Sequence, residues 1–340
     1  MIGKNLKYFR MLAGLSQDEL ANKLGITKMA ISNYENDKRD VDSKMLIKIA
    51  DVLRIKATNL LMSDYYPLEI TYGQFRKKAN VSEAKKDLLF ETINRKLGNI
   101  NEIINILGDN VLPDIDITNK AKFEYADNAA KQIRNFLSLP ELGPVGNITD
   151  VIENKGIIIC ELEIADDWFS GINGTVNGRP YIVVNKNMPA ERQRFTLIHE
   201  LAHILFDLEN EENEEKIVNQ IAGSFFFPRE DVIRELGTFR TDIRFDLRCL
   251  QREYGISMQT VLLRAKQVGV ISERTYLSQQ KLLSKLGLRK DEKSGLPNEN
   301  SELFNKLVNR GVLEGIINEN KASELLGYPY SQNMMNEVMQ

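Results

Sequence analysis

The stretch that decides the fold is Arg194-Phe195-Thr196-Leu197-Ile198-His199-Glu200-Leu201-Ala202-His203-Ile204-Leu205-Phe206. Apolar residues flank two histidines and no Gly or Pro interrupts the run, so the pattern predicts a largely buried helix. His199 and His203 are four residues apart and project from one face, about one turn apart. Glu200 points to the flank of that pair and completes the pattern H-E-x-x-H. Two imidazoles so spaced share one zinc ion, and the neighbouring carboxylate holds the water on it. The chain of 340 residues contains 2 His, both here. A core helix carrying these three polar groups for no purpose would bury them at a cost unless each had a partner. A metal gives the histidines that partner and gives the glutamate a task.

A catalytic zinc takes three protein ligands and keeps one position open. There is no third His, and neither Cys160 nor Cys249 is near in sequence. The third ligand is then a carboxylate from the acidic run after His203, with Asp207, Glu209, Glu211, Glu212, Glu214 and Glu215 as candidates. The next helix buries Ile217, Val218, Ile221, Ala222, Phe225 and Phe226 and ends at Pro228. Three and seven residues are both near whole turns, so periodicity leaves Glu214 and Glu215 tied.

Upstream, residues 147–165 (NITDVIENKGIIICELEIA) read as a helix, a turn at Gly156 and an apolar strand. Residues 170–187 (SGINGTVNGRPYIVVNKN) read as two strands joined by an Asn177-Gly178 hairpin. A small sheet therefore precedes the metal helix. Residues 171–176 are candidates for an exposed edge that takes an extended peptide by strand addition. Arg192 and Arg194 read as surface charges. Residues 68–120 read as a solvated helical connector.

Composition is that of a globular protein, with 42% hydrophobic and 27% charged residues and a net charge of −3. The charge is uneven. Residues 1–62 hold 11 Lys and Arg against 7 Asp and Glu, a net of +4, which leaves −7 for the remainder. The basic end is compatible with a nucleic-acid contact. The 2 Cys lack metal-like spacing and read as reduced and structural. No signal segment and no membrane-length apolar run is present, so the expected location is cytoplasmic, with no membrane partner.

At the N-terminus, Leu6, Phe9 and Leu12 form the inner face of a first helix that stops at Gly14. Ser16 and Glu19 make a capping box for a second helix, which Gly25 ends. Thr27 caps a third helix, and two more helices complete a five-helix bundle with a helix-turn-helix at its centre. The run LSQDELANKLGITKMAISNYENDKR resembles the Xre-type helix-turn-helix family over about residues 1–65. The resemblance implies that the helix opened by Thr27 enters the major groove, with Thr27, Lys28, Met29, Ser32 and Asn33 reading bases. It also implies phosphate contacts from Gln17, Lys38 and Arg39. Met29 departs from the polar residues usual at its position. A single domain of this kind binds weakly, so the expected partner is an operator bound by a homodimer. A bundle that serves protein contact alone is the competing reading.

The segments RFTLIHELAHILFD and EKIVNQIAGSFFFP resemble the ImmA/IrrE family of zinc metallopeptidases, and the resemblance extends over about residues 124–280. It implies a zincin-like α+β domain with one zinc on His199, His203 and Glu215, which breaks the tie. It gives Glu200 the role of general base. Val218 and Ile221 replace the residues usual in that pattern. The expected fold is multidomain and mainly α: helix-turn-helix bundle 1–65, helical connector 66–123, small α+β metallopeptidase domain 124–282, and linker with helical appendage 283–340. The expected function is a DNA-binding regulatory endopeptidase whose protein substrate is a helix-turn-helix repressor of phage, mobile-element or stress genes. The alternative is a transcriptional regulator or toxin–antitoxin component with a structural or sensory zinc.

Overall fold

A computed structural model describes residues 2–61, 68–73, 81–108, 111–117, 120–165, 168–208, 212–288 and 295–330. Two of the carboxylate candidates, Glu209 and Glu211, lie outside them. The chain divides into two compact units, residues 1–68 with 79–98, and residues 69–78 with 99–340.

The first unit contains α1 (Ile2–Leu12), α2 (Gln17–Leu24), α3 (Lys28–Glu35), α4 (Ser43–Leu53) and α5 (Ala57–Leu61). Local chemistry sets their ends. Ser16 and Glu19 form the reciprocal capping box of α2, and Gly25 closes it in the left-handed region at φ 69°. The Thr27 side chain accepts from the Ala30 amide to open α3, and Asp42 does the same for α4. Leu6, Leu20, Ile31, Ile49 and Leu60 are fully buried at the centre. Gly3 lets α1 cross close to the Tyr34 carbonyl, where a Cβ would collide. Beneath the motif, the buried Arg10 guanidinium grips Glu35 through two hydrogen bonds, at 2.5 and 3.1 Å.

The helix α6 (Glu83–Leu107) was expected to be solvated and is not. Leu89, Ile93, Leu97, Ile100 and Ile103 are 5% exposed or less. Its first part belongs to the bundle unit, where Arg95 stacks on the Tyr8 ring at 4.1 Å and donates to Asn5. Its last part belongs to the second unit.

The second unit is built on a four-stranded sheet in the order β1 (Ile70–Tyr72), β4 (Gly171–Val176), β5 (Arg179–Asn185), β3 (Ile158–Leu162). A second, two-stranded sheet pairs β2 (Ala121–Lys122) with β6 (Phe206–Asp207). β4 and β5 form the antiparallel hairpin, with Asn177 and Gly178 both at positive φ, and β3 runs parallel to β5. β1 runs antiparallel to β4, so residues 173–176 of the expected 171–176 edge are not free: a strand from a hundred residues upstream covers them. No local pattern foreshadows that pairing, because β1 has three residues and its partner is remote.

The helix α7 (Ala126–Phe136), α8 (Ile148–Glu153), α9 (Ala190–Leu205), α10 (Glu214–Phe226), α11 (Arg229–Leu236), α12 (Leu247–Tyr254), α13 (Met258–Val268) and α14 (Glu273–Lys285) surround one core. In it, Ile159, Ile182 and Val184 of the sheet meet Leu197, Ile198, Leu201 and Ala202 of α9. The appendage, α15 (Leu303–Leu313) and α16 (Glu319–Leu326), packs Leu307, Val308 and Leu325 on Ile103. No helix among the described residues is long and apolar enough to cross a membrane.

Two further expectations are corrected. Arg194 is not a surface charge: it is 2% exposed, donates to the Val145 and Gly146 carbonyls, and pairs with Glu299. Residues 295–301 are not a free linker. Glu299 also accepts from the amides of Ile148 and Thr149, and Ser301 donates to Glu153. Cys160 is buried, as a structural cysteine should be, whereas Cys249 is exposed.

Candidate metal centre and DNA-contact helix

The metal candidates come from two consecutive helices. His199 and His203 lie one turn apart on α9, and Glu214 and Glu215 occupy the first turn of α10. Packing of α10 against α9 brings the two sets together. The His199 and His203 Nε2 atoms are 3.3 Å apart. Glu215 places Oε2 at 3.7 Å from the first and Oε1 at 3.8 Å from the second. These three residues are the group of ligand atoms, all within 4.8 Å of one another, that suits a metal ion.

The donor set fits zinc. Zn–N distances of about 2.0–2.1 Å at tetrahedral angles put two ligating nitrogens about 3.3 Å apart. The proton positions agree. His203 Nδ1 lies 2.9 Å from Glu214 Oε1, and a carboxylate only accepts, so the ring proton sits on Nδ1. His199 Nδ1 lies 3.1 Å from Asn219 Oδ1, and its proton is fixed likewise. Both Nε2 lone pairs then face one point beside a carboxylate, an arrangement that a cation stabilises. Glu214 and Glu215 thus differ in position: Glu214 faces the outer nitrogen of His203, and Glu215 faces the inner nitrogens of both rings.

Glu200 is 8% exposed, and its Oε2 accepts from Asn173 Nδ2 at 2.7 Å. Asn173 lies on the face of β4 that meets α9. At Gly171 on the same face, a Cβ would stand 2.5 Å from Thr196 and 3.4 Å from the Glu200 Cγ. Sequence reasoning gave Asn173 no part in the centre and weighed Glu214 only as a metal ligand, not as the acceptor for His203 Nδ1. The available signal was a Gly and an Asn at inward positions of a strand whose neighbour, β5, puts Ile182 and Val184 on that face.

In the bundle, Thr27, Lys28 and Met29 stand exposed at the start of α3, with Met29 at 73%. Ser32 and Asn33 follow, half-buried. Lys28 pairs with Asp18 at 2.7 Å, with both groups exposed. Lys38 is exposed, and Arg39 lies over the Tyr34 ring at 5.5 Å. Gln17 donates to Glu35 at 2.7 Å, so its side chain is engaged in the buried Arg10 network.

Comparison with known proteins gives two family matches: a helix-turn-helix model over residues 6–60 and an IrrE N-terminal-like domain, a peptidase family, over residues 153–266. The HTH-type transcriptional regulator ImmR of Bacillus subtilis is 41% identical over 63 residues, 18% of this chain and 50% of ImmR. The chain thus spans about half the length of that relative. The uncharacterized HTH-type transcriptional regulator YqaE of Bacillus subtilis is 36% identical over 88 residues, 26% of this chain and 67% of YqaE. A further uncharacterized HTH-type regulator, from Methanocaldococcus jannaschii, is 37% identical over 57 residues, 17% of this chain and 86% of its own length. With a helix-turn-helix at one end and a histidine-bearing domain of the IrrE kind following it, the chain belongs to the proteins that fuse an Xre-type helix-turn-helix to an ImmA/IrrE-like domain.

Proposed function

We propose that this protein is a DNA-binding regulatory zinc metalloendopeptidase. The observation that supports this best is the convergence of His199, His203 and Glu215 on one point with the Glu200 carboxylate fixed beside it. Zinc held there would supply a Lewis acid that polarises the scissile carbonyl and lowers the pKa of water towards ~7. Glu200 takes the proton of the attacking water and passes it to the leaving amine. Asn173 holds one oxygen of that carboxylate. Asn219 and Glu214 keep both imidazole protons on Nδ1, which orients Nε2 as ligand.

Exposed Thr27, Lys28 and Met29, with Ser32 and Asn33, read an operator, and Lys38 and Arg39 contact phosphates. Gln17 contributes through the start of α2, since its side chain is held by Glu35. The working form is a cytoplasmic homodimer on paired half-sites, and the substrate is a helix-turn-helix repressor or a related regulator.

The test is Glu200→Gln, with co-expressed repressor read by mass spectrometry. The variant is expected to retain one zinc per chain and DNA binding and to lose cleavage by at least about a hundredfold. If the regulated genes respond as in wild type, the zinc is structural or sensory and the peptidase reading falls.

A further inference from the structure

β1 covers the outer edge of β4, whose Asn173 holds Glu200, and we propose that this edge is the docking edge for an extended peptide, with residues 69–73 of the chain seated on it as its own occupant. The inference rests on the peptidase reading for the identity of the displacing ligand, and on the strand geometry for the occupancy.

The pairing is complete along its length. Ile70, Thr71 and Tyr72 face Val176, Thr175 and Gly174. The Asn177 amide donates to Glu69 O at 2.8 Å, and the Gly73 amide to Asn173 O at 2.7 Å. Side chains add to the ladder: Thr71 and Thr175 hydroxyls pair at 2.8 Å, Tyr181 donates to Thr71 O at 2.9 Å, and Asn177 Oδ1 accepts from the Glu69 amide at 3.0 Å. Gly174 has no side chain, and a Cβ there would strike Thr71 O and the Tyr181 hydroxyl, so the edge admits a closely apposed backbone.

The edge also leads to the chemistry. At its far end Gly73 packs on the Asn173 side chain, where a Cβ would stand 2.7 Å from Oδ1. Asn173 in turn donates to Glu200. One asparagine therefore touches both the docked strand and the acid–base carboxylate. A peptide that adds to β4 in the antiparallel sense must take the backbone bonds β1 now makes. Its apparent affinity is the intrinsic affinity multiplied by the fraction of time the edge is open.

The experiment uses the full chain in the Glu200→Gln background, so that the probe survives, and a labelled synthetic peptide of residues 68–73, Leu-Glu-Ile-Thr-Tyr-Gly. Gly73 turns its amide towards β4, so Thr71 two residues earlier does the same, and Thr71→Pro deletes a ladder donor. Folded Thr71→Pro protein is expected to bind the peptide at least about tenfold more tightly than the Thr71 parent, with or without zinc. The same change with Glu200 restored is expected to raise hydrolysis of casein by a similar factor. A gain in peptide binding without hydrolysis of casein upholds the occupancy and leaves the peptidase reading to the repressor-cleavage test with Glu200→Gln. Hydrolysis that Thr71→Pro leaves unchanged, or a folded variant that binds no more peptide than its parent, overturns the occupancy alone. Should Thr71→Pro fail to fold, Thr71→Ala loosens β1 alone by removing its hydroxyl bonds to the Thr175 side chain and amide, which the peptide's own threonine can still make. A gain of several-fold in peptide binding is then expected, and no gain overturns the inference.

Discussion

The helix opened by Thr27 turns its chemistry outward and the helix carrying His199 turns its own inward: Met29 is 73% exposed and His199 is 4% exposed. The groups expected to read DNA on α3 hang from a core that holds without them, since Leu20, Ile31 and Ile49 beneath are sealed. The metal candidates are part of the core that holds them. α9 packs Leu197, Ile198, Leu201 and Ala202 on the sheet, and Glu200 reaches Asn173 of that sheet. Function and fold are thus separable in the bundle and entangled in the metal domain, and substitutions of matched size distinguish the two.

The largest effect is expected at Arg194→Met. Arg194 sits on the metal helix five residues before His199, buried with Glu299 and two carbonyls. Removing one member of a buried ion pair leaves the other uncompensated and costs about 3 kcal/mol or more. Glu299 keeps two amide donors, which holds the loss near the low end. A fall in denaturation midpoint of that size, with DNA binding retained below it, is the expected result. An unchanged midpoint would mean that residues 295–301 are not held to α9.

Next comes the acidic pair of α10. Glu214→Ala removes the acceptor for His203 Nδ1 and is expected to weaken zinc binding about ten- to hundredfold in chelator competition. Glu215→Ala removes a ligand and is expected to cost more. The reverse order would exchange the two roles.

Glu153 gives a smaller, pH-dependent effect. Burial, against the opposing hydrogen bond from Ser301, raises its carboxyl to about 7 from an unfolded value of 4.5. Between those values the folded chain keeps a proton that the unfolded chain has lost, so stability falls as pH rises from 4.5 to 7. Glu153→Gln removes that loss. It is expected to stabilise by about 1–2 kcal/mol at pH 8 and to be neutral at pH 4, read as melting midpoints at both.

The legibility of these regions follows the range of the interactions that build them. Ser16, Glu19, Gly25 and Thr27 act on neighbours within a turn, so the bundle could be read residue by residue from its caps. The histidine pair was legible for the same reason. The Glu214–Glu215 tie was not broken by spacing, because adjacent positions on one helix differ by only 100° and the deciding contact lies on another helix. The cover on β4, the burial of Arg194 and the docking of Glu299 join residues about fifty to a hundred apart. Sequence pattern carries no trace of such partners, and a charged residue in isolation reads as a surface one.

The smallest stability effect and the cleanest functional one belong to Lys38→Ala. Lys38 is exposed just beyond α3, and its amide bonds Asn33 O at 2.8 Å through the backbone, which alanine preserves. Stability is expected to change by no more than about 0.5 kcal/mol. If the side chain neutralises one phosphate, its removal weakens binding to all sequences alike and lowers the slope of log affinity against log salt by about 1. Titration on the upstream region of its own gene at several salt concentrations measures both. Met29→Ala on the same helix is its complement: the slope stays and discrimination between operators falls, because a thioether meets a base edge rather than a phosphate. A slope unmoved by Lys38→Ala would take the phosphate role from the end of α3. The outward face of the bundle would then be a protein-contact surface, while the inward chemistry of α9 would stand as it is.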